Sequence, residues 1–357
     1  MKICFIADTE SIHIIEWVKH FHDIGFDVSV ITDSSEPIEN IKTYHTGECL
    51  PRFHIPVLNA LFQIFQKVKK IRNFLKDIEP DIVHAHYATN NGFLAALSGF
   101  HPLILTCHGS DILVDLKKSI SESIFVKYAL IKSDLITVPS EPMAEIIRSY
   151  IRPESRVKII QYGIDTDRFT FPSKNEYPIR IISSRLLIPK YRIDVLIDAA
   201  LSFLTKNDKI ILDILGDGIE RKVFQKITAE NKLNKQIIFH GNVEHTHIHR
   251  YYQDAHIYVT TSPTDGVSIS LLEAMACGCY PVLPDNSSNR YIEKLGFKIA
   301  FYKTNNPKEL ANKISQVLSK LPDLSSDLLL NRTLIERHFS KRVTFRKIEK
   351  LYNEIIP

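Results

Sequence analysis

Glycine is scarce in this chain: 12 among 357 residues, about half the usual share. A chain so poor in glycine keeps it where a side chain would not fit. Gly109, Gly163, Gly216, Gly218, Gly241, Gly266 and Gly278 all fall in segments whose other residues point to chemistry. The first strand runs into "ADTESIHIIEWVKHF" (7–21), with no glycine before Gly25. That absence removes the G-x-G-x-x-G fingerprint a nicotinamide-dependent dehydrogenase would carry there. Long apolar runs are missing too; nothing approaches the ~18 residues that cross a bilayer. The five cysteines (Cys4, Cys49, Cys107, Cys277, Cys279) are odd in number and form no C-x-x-C pair, so reduced thiols and a cytoplasmic location are expected. Asp8 interrupts the N-terminal apolar stretch too early for a signal-peptide core. A net charge of +4 gives no reason to expect nucleic acid, while it suits an acidic ligand or an anionic membrane surface. Internal repeats and low-complexity tracts are absent.

What is present is ample core material, 44% hydrophobic against 24% charged, in a chain long enough for two domains. Short β-rich runs alternate with helical periods. In the first half they are "KICFIA" (2–7), "DVSVIT" (27–32), "DIVHAH" (81–86), "LILTCH" (103–108) and "DLITVPS" (134–140). In the second half they are "IRIISS" (179–184), "KIILDILG" (209–216), "QIIFHG" (236–241), "HIYVTTS" (256–262) and "CYPVLP" (279–284). Such alternation predicts α/β architecture, with two doubly wound parallel sheets. The boundary is expected within 161–178, giving domains 1–165 and 166–339, with a last helix over 340–357.

Several strand ends carry candidate ligand groups. Arg185 and Lys190 bracket the loop after one strand, and an arginine fork with a lysine point charge suits a diphosphate. Gly216 and Gly218 flank Asp217 in a strand-to-helix turn whose amides could meet a phosphate, although such a pair also makes an ordinary tight turn. In "TSPTDGVSISLLEAMACG" (261–278) a turn at 262–267 leads into a helix starting near Ser268, whose first amides form an anion site. Glu273 sits among apolar neighbours on that helix. A buried carboxylate needs a partner, either a protein cation or ligand hydroxyls. "HGSD" puts His108 and Asp111 at a strand end in the first half.

This ordered set, with "PDIVHAHYATNNGFLAALSG" (80–99) and "YGIDTDRF" (162–169), resembles glycosyltransferase family 4, the retaining sugar-nucleotide transferases of the GT-B fold. The resemblance spans essentially the whole chain, and the acid-x7-acid segment Asp265–Glu273 is its most specific part. It implies two Rossmann-like domains facing an interdomain cleft, with the last helix returning to the N-terminal, acceptor-side domain. It implies a nucleoside-diphosphate sugar donor, UDP- or GDP-linked, held by the C-terminal domain, and a glycan or lipid-linked acceptor in surface polysaccharide or glycolipid synthesis. It further implies no separate cofactor and no metal. By the same likeness Arg185, Lys190 and the amides over Gly266, Val267, Ser268 and Ile269 hold the diphosphate. Glu273 accepts from the ribose, backbone around Phe239–Gly241 meets the base, and Asp265 and His108 reach the transferring sugar. Two departures stand out: the missing glycine turn after the first strand, where Ser11 and His13 stand instead, and Asp265 where many members have Glu.

Other readings were open. A sugar-nucleotide epimerase shares a two-domain cleft but lacks this motif order, and a non-catalytic partner that only binds a nucleotide sugar would keep the donor residues. "DTD" (165–167), "HAH" (84–86) and "HTHIH" (245–249) each suggest metal ligands in isolation; the last is expected to open a helix, where alternate residues do not share a face. The stretch 56–78 shows a clear helical apolar stripe, with Lys67, Lys69, Lys70, Arg72 and Lys76 on its polar part. It is either a solvated face or a peripheral contact with anionic lipid.

Overall fold

The computed structural model describes residues 1–47, 56–205 and 207–356, so Cys49 lies outside the described residues. Two units emerge: Met1–Gln161 together with Arg346–Pro357, and Tyr162–Phe345. In the first, β1 (Lys2–Ile6), β2 (Asp27–Thr32), β3 (Lys42–His45), β4 (Ile82–His86), β5 (Leu103–Thr106), β6 (Leu135–Val138) and β7 (Val157–Ile159) form a seven-stranded sheet in the order β3-β2-β1-β4-β5-β6-β7. In the second, β8 (Ile179–Ser184), β9 (Ile210–Leu215), β10 (Ile237–Gly241), β11 (Ile257–Val259), β12 (Tyr280–Pro284) and β13 (Ala300–Tyr302) run β10-β9-β8-β11-β12-β13.

Every pairing between these strands is parallel. Strands buried on both faces read as continuous apolar runs rather than alternating ones. Val138, Ile136 and Leu105 in one sheet, and Ile214, Val259 and Val282 in the other, are fully buried. The central strands lie where the sequence suggests. β3, β7 and β13 were not expected: each has three or four residues and closes or flanks a sheet edge, too short to carry a pattern.

The helix Lys341–Ile355 contributes its last turns to the first unit. Tyr352 is fully buried there, with its hydroxyl 2.6 Å from His84 Nδ1 and its ring 5.0 Å from that of Phe21. Among the described residues, no helix is long and apolar enough to cross a membrane. Four of the five cysteines are free and buried.

Candidate functional site

In an open α/β sheet, strand order reverses beside the first strand, and loops leaving the carboxyl ends there diverge to open a crevice. Each unit has one such point, between β1 and β4 in the first and between β8 and β11 in the second. The residues of interest cluster at both.

In the second unit, β8 delivers Arg185 and β11 delivers the 260–268 turn. Ser268 caps the helix Ile269–Ala276, its Oγ accepting from the Leu271 amide at 3.3 Å. The expected helix start is therefore observed, and its explanation is the cap. Arg185 donates through Nη2 to Asp265 and, at 2.5 Å, to Ser268 Oγ. Its Nε is buried without a hydrogen-bond partner among the described residues. Burial on its own would lower the pKa of this guanidinium; Asp265, Tyr258 and Tyr191 beside it together hold it above the ordinary arginine value. The Arg185 and Lys190 charges lie 5.4 and 5.5 Å from the Tyr191 ring centre, so one aromatic ring gathers both. Thr261 fixes that ring's turn by donating to the Tyr191 carbonyl at 2.8 Å. The Asp265 turn is held from behind, where Ser288 donates to the Asp265 carbonyl at 2.7 Å.

Three of the predicted groups have partners within the chain. Asp265 is expected to face a sugar; here its carboxylate is paired to Arg185, a residue 80 positions away. Glu273, 4% exposed, does not wait for ligand hydroxyls to find a partner. His245 lies 2.7 Å away through Nε2, while Arg168 donates to the other ring nitrogen at 3.1 Å. Because a guanidinium only donates, Nδ1 accepts and the proton sits on Nε2, aimed at Glu273. His245 comes from "HTHIH", which does open a helix, His245–Asp254. The third case is Gly216 and Gly218. A Cβ on Gly216 would lie 2.4 Å from the Arg185 carbonyl oxygen, and one on Gly218 would lie 2.2 Å from that of Leu187. The space these glycines leave is filled by the backbone of the Arg185 loop, which is further tied by Leu187 N to Asp217 O at 2.9 Å and Glu220 N to Leu187 O at 3.0 Å. Gly216 N also donates to Gly241 O at 2.7 Å, and Arg221 reaches the Phe239 carbonyl at 3.3 Å and Asp217 at 2.5 Å. The exits of β8, β9 and β10 are thus bound into one block.

In the first unit, a pocket of about 680 Å³ opens at the β1–β4 point, with Asp8, Ser11, His86, Tyr87, Asn90 and His108 in its wall. Burial holds the His84 imidazole down to about 3 and His108 to about 4, so both are neutral near pH 7. His84 and His86 share a face of β4, as alternate strand residues do, with rings stacked 4.5 Å apart; the His108 ring meets His86 edge-on at 5.5 Å. The loop carrying His108 is folded around Asp111, a fully buried carboxylate that accepts the amides of Ala88 (2.9 Å), His108 (3.1 Å), Gly109 (2.9 Å) and Ile112 (3.1 Å). Burial raises the Asp111 pKa, and the amides of Ala88, Gly109 and His108 act in the opposite direction. Asp165 of "DTD" accepts from the Arg168 amide at 3.1 Å and pairs with Lys341 at 3.5 Å. Among the described residues, no group of three or more His, Cys, Asp or Glu could hold a metal ion.

Two family models match this chain: "Glycosyl transferases group 1" over residues 164–328 and "Glycosyl transferase 4-like" over residues 2–140. An uncharacterized glycosyltransferase of Methanocaldococcus jannaschii is 25% identical across 97% of this chain and 94% of its own length. Alpha-monoglucosyldiacylglycerol synthase of Streptococcus pneumoniae is 22% identical, covering 78% of this chain and 68% of that protein. Among solved structures, HepE of Anabaena in complex with UDP-glucose superimposes with a TM-score of 0.80 at 16% identity, covering 99% of this chain and 100% of that one.

Proposed function

This chain is a glycosyltransferase of the GT-B fold, and on that premise we propose that it moves a sugar from a nucleoside-diphosphate donor to a glycan or lipid-linked acceptor. We assign it retention of anomeric configuration, no metal, and a role in surface polysaccharide or glycolipid synthesis. The observation that carries this reading is the convergence of Arg185, the capped start of the Ile269–Ala276 helix and the buried Glu273 around the second unit's strand-order reversal. A cation and a helix N-terminus favour a diphosphate, and a fixed carboxylate favours the vicinal hydroxyls of a ribose.

The bond broken joins an anomeric carbon to a phosphate oxygen. Negative charge grows on the leaving diphosphate, where Arg185, Lys190 and the amides from Gly266 to Ile269 stabilise it. In this reading the arriving diphosphate competes with Asp265 for the Arg185 guanidinium. Asp265 is then released toward the sugar ring, where positive charge builds. Glu273, held by His245, accepts from the ribose, and backbone at Phe239–Gly241 meets the base. Neutral His108 lines the first unit's pocket, to which the acceptor is assigned. The acceptor hydroxyl attacks on the face the diphosphate leaves, and its proton passes to a leaving phosphate oxygen, so no enzyme nucleophile is needed. HepE, of like fold, has been crystallised with UDP-glucose, which supports a donor of that class here.

The test is a thermal-shift and donor-hydrolysis panel across UDP-, GDP- and ADP-sugars, with and without EDTA. Stabilisation and turnover with one nucleotide family, unchanged by EDTA and lowered by orders of magnitude in Arg185→Ala, are expected. Stabilisation by NAD and by no nucleotide sugar would overturn the reading, and activity lost to EDTA and restored by Mg²⁺ would overturn metal independence.

A further inference from the structure

The helix Pro56–Ile78 buries only half of its apolar stripe. Val68, Ile71, Leu75 and Ile78 pack into the first unit's core, whereas Leu58, Leu61 and Phe65 continue the stripe into solvent, Phe65 at 60% exposure. The short helix Phe93–Ser98 lies against it, with Arg72 donating to the Leu97 and Ser98 carbonyls at 2.8 and 3.0 Å. On its other side is the helix Ile120–Lys132, where Phe125 stacks on Phe93 at 4.2 Å. That helix carries a second exposed stripe, Ile120, Ile124 and Ile131, with Ile120 at 82% exposure. Sixteen large apolar side chains are exposed among the described residues, and seven lie on these two helices. This concentration distinguishes the layer from the scattered apolar residues of an ordinary surface.

The cations of the helix Pro56–Ile78 divide into two groups. Lys67 and Lys70 are engaged within the unit, on Asp33 and on the Thr46 carbonyl. Lys69 and Lys76 are exposed and follow Phe65 along one flank of the helix, with Arg72 exposed between them even as it holds the Leu97 and Ser98 carbonyls, at the edge of a groove of about 690 Å³ that ends at Glu79 and Phe100. Apolar residues at one end of a helix flank and cations along the rest fit an interfacial helix, whose apolar side chains enter the acyl boundary while its cations meet phosphates.

We propose that this helix layer docks the first unit onto an anionic bilayer, with Leu58, Leu61 and Phe65 inserted and Lys69, Arg72 and Lys76 on the lipid headgroups. Charge favours this occupant over a second copy. A two-fold contact of this face with itself would set the same three cations against their equivalents, whereas an anionic surface complements them. The inference does not depend on the donor chemistry.

The experiment is co-sedimentation of the full chain with phosphatidylcholine vesicles, with and without phosphatidylglycerol, in the absence of donor and acceptor. Binding is expected only with phosphatidylglycerol and should weaken with added salt. Lys69→Gln with Lys76→Gln should lower the partition coefficient by roughly 25-fold, about fivefold per cation. Phe65→Ser with Leu61→Ser should abolish binding. Both double variants should keep the wild-type far-UV spectrum, melting temperature and donor hydrolysis, since they touch neither core nor site. Equal binding to neutral vesicles, or undiminished binding by the lysine variant, would overturn the proposal. So would a dimer in solution that Phe65→Ser dissolves, without any vesicle binding.

Discussion

His245 offers the sharpest test of the second unit's site. In His245→Leu the side chain keeps its approximate volume but loses the Nε2 proton that reaches Glu273 at 2.7 Å. The carboxylate stays on a helix whose residues 271–276 are all buried, so water cannot simply replace the lost donor. A hydrogen bond to a charged group contributes about 1.5–3 kcal/mol. Taking about 2 kcal/mol, donor kcat/KM should fall roughly 30-fold, expressed mainly in the donor KM because Glu273 is assigned to a part of the donor remote from the broken bond. His245→Gln can still accept from Arg168 and donate to Glu273, and should recover most of the loss. Initial rates across donor concentration in the two single variants, in Glu273→Gln and in the His245→Leu/Glu273→Gln double variant make the cycle. The double variant should lose little beyond Glu273→Gln alone. Full additivity, or Gln behaving as Leu does, would refute the reasoning that His245 acts through this hydrogen bond.

Further outcomes follow from the same structure. Gly218→Ala places a methyl 2.2 Å from the Leu187 carbonyl oxygen and should lower both stability, by about 1–3 kcal/mol, and donor turnover, because the Arg185 loop must move. Gly25→Ala, where nothing lies within 4 Å but φ is +93°, should lose stability through backbone strain and leave turnover intact; initial rates distinguish the two variants. Asp265→Glu lengthens the carboxylate that pairs with Arg185 and should alter donor preference across the sugar panel; an identical profile would mean that this reach is immaterial. Unfolded histidines protonate near 6.5, whereas folded His84 and His108 do so only near 3 and 4. Their stabilising contribution is therefore complete above about pH 6.5 and drains as pH falls toward 4, by about 1.4 kcal/mol per pH unit for each. Urea midpoints measured over that range should show a shallower slope in His84→Gln.

The sequence was most legible where local physics decides. A helix start near Ser268, Glu273 as a buried carboxylate, and the apolar runs of the central strands each follow from a few adjacent residues. Partners were less so. Arg185 finds Asp265 across 80 positions and His245 finds Glu273 across 28, and nothing in periodicity links such pairs. "HTHIH" looked like a local cluster, yet its first histidine matters because its short loop from β10 returns it beside Glu273. The scarcity of glycine correctly marked Gly216 and Gly218 as places of close approach. What approaches, in the folded chain, is its own backbone.

The position of Tyr352 bears on how the molecule is made. The first unit is assembled from both sides of the second, Met1–Gln161 and Arg346–Pro357, and Tyr352 closes over His84 and Phe21 with no exposed surface. During synthesis the ribosome releases the seven strands of that sheet early and this last covering helix late. Domains usually mature in the order they are translated. Here the second unit has all its residues before the first can finish its core, and the face around Trp17 and Phe21 must wait uncovered meanwhile. A chain of this design cannot complete the core of its first unit until the residues from Arg346 onward have been made.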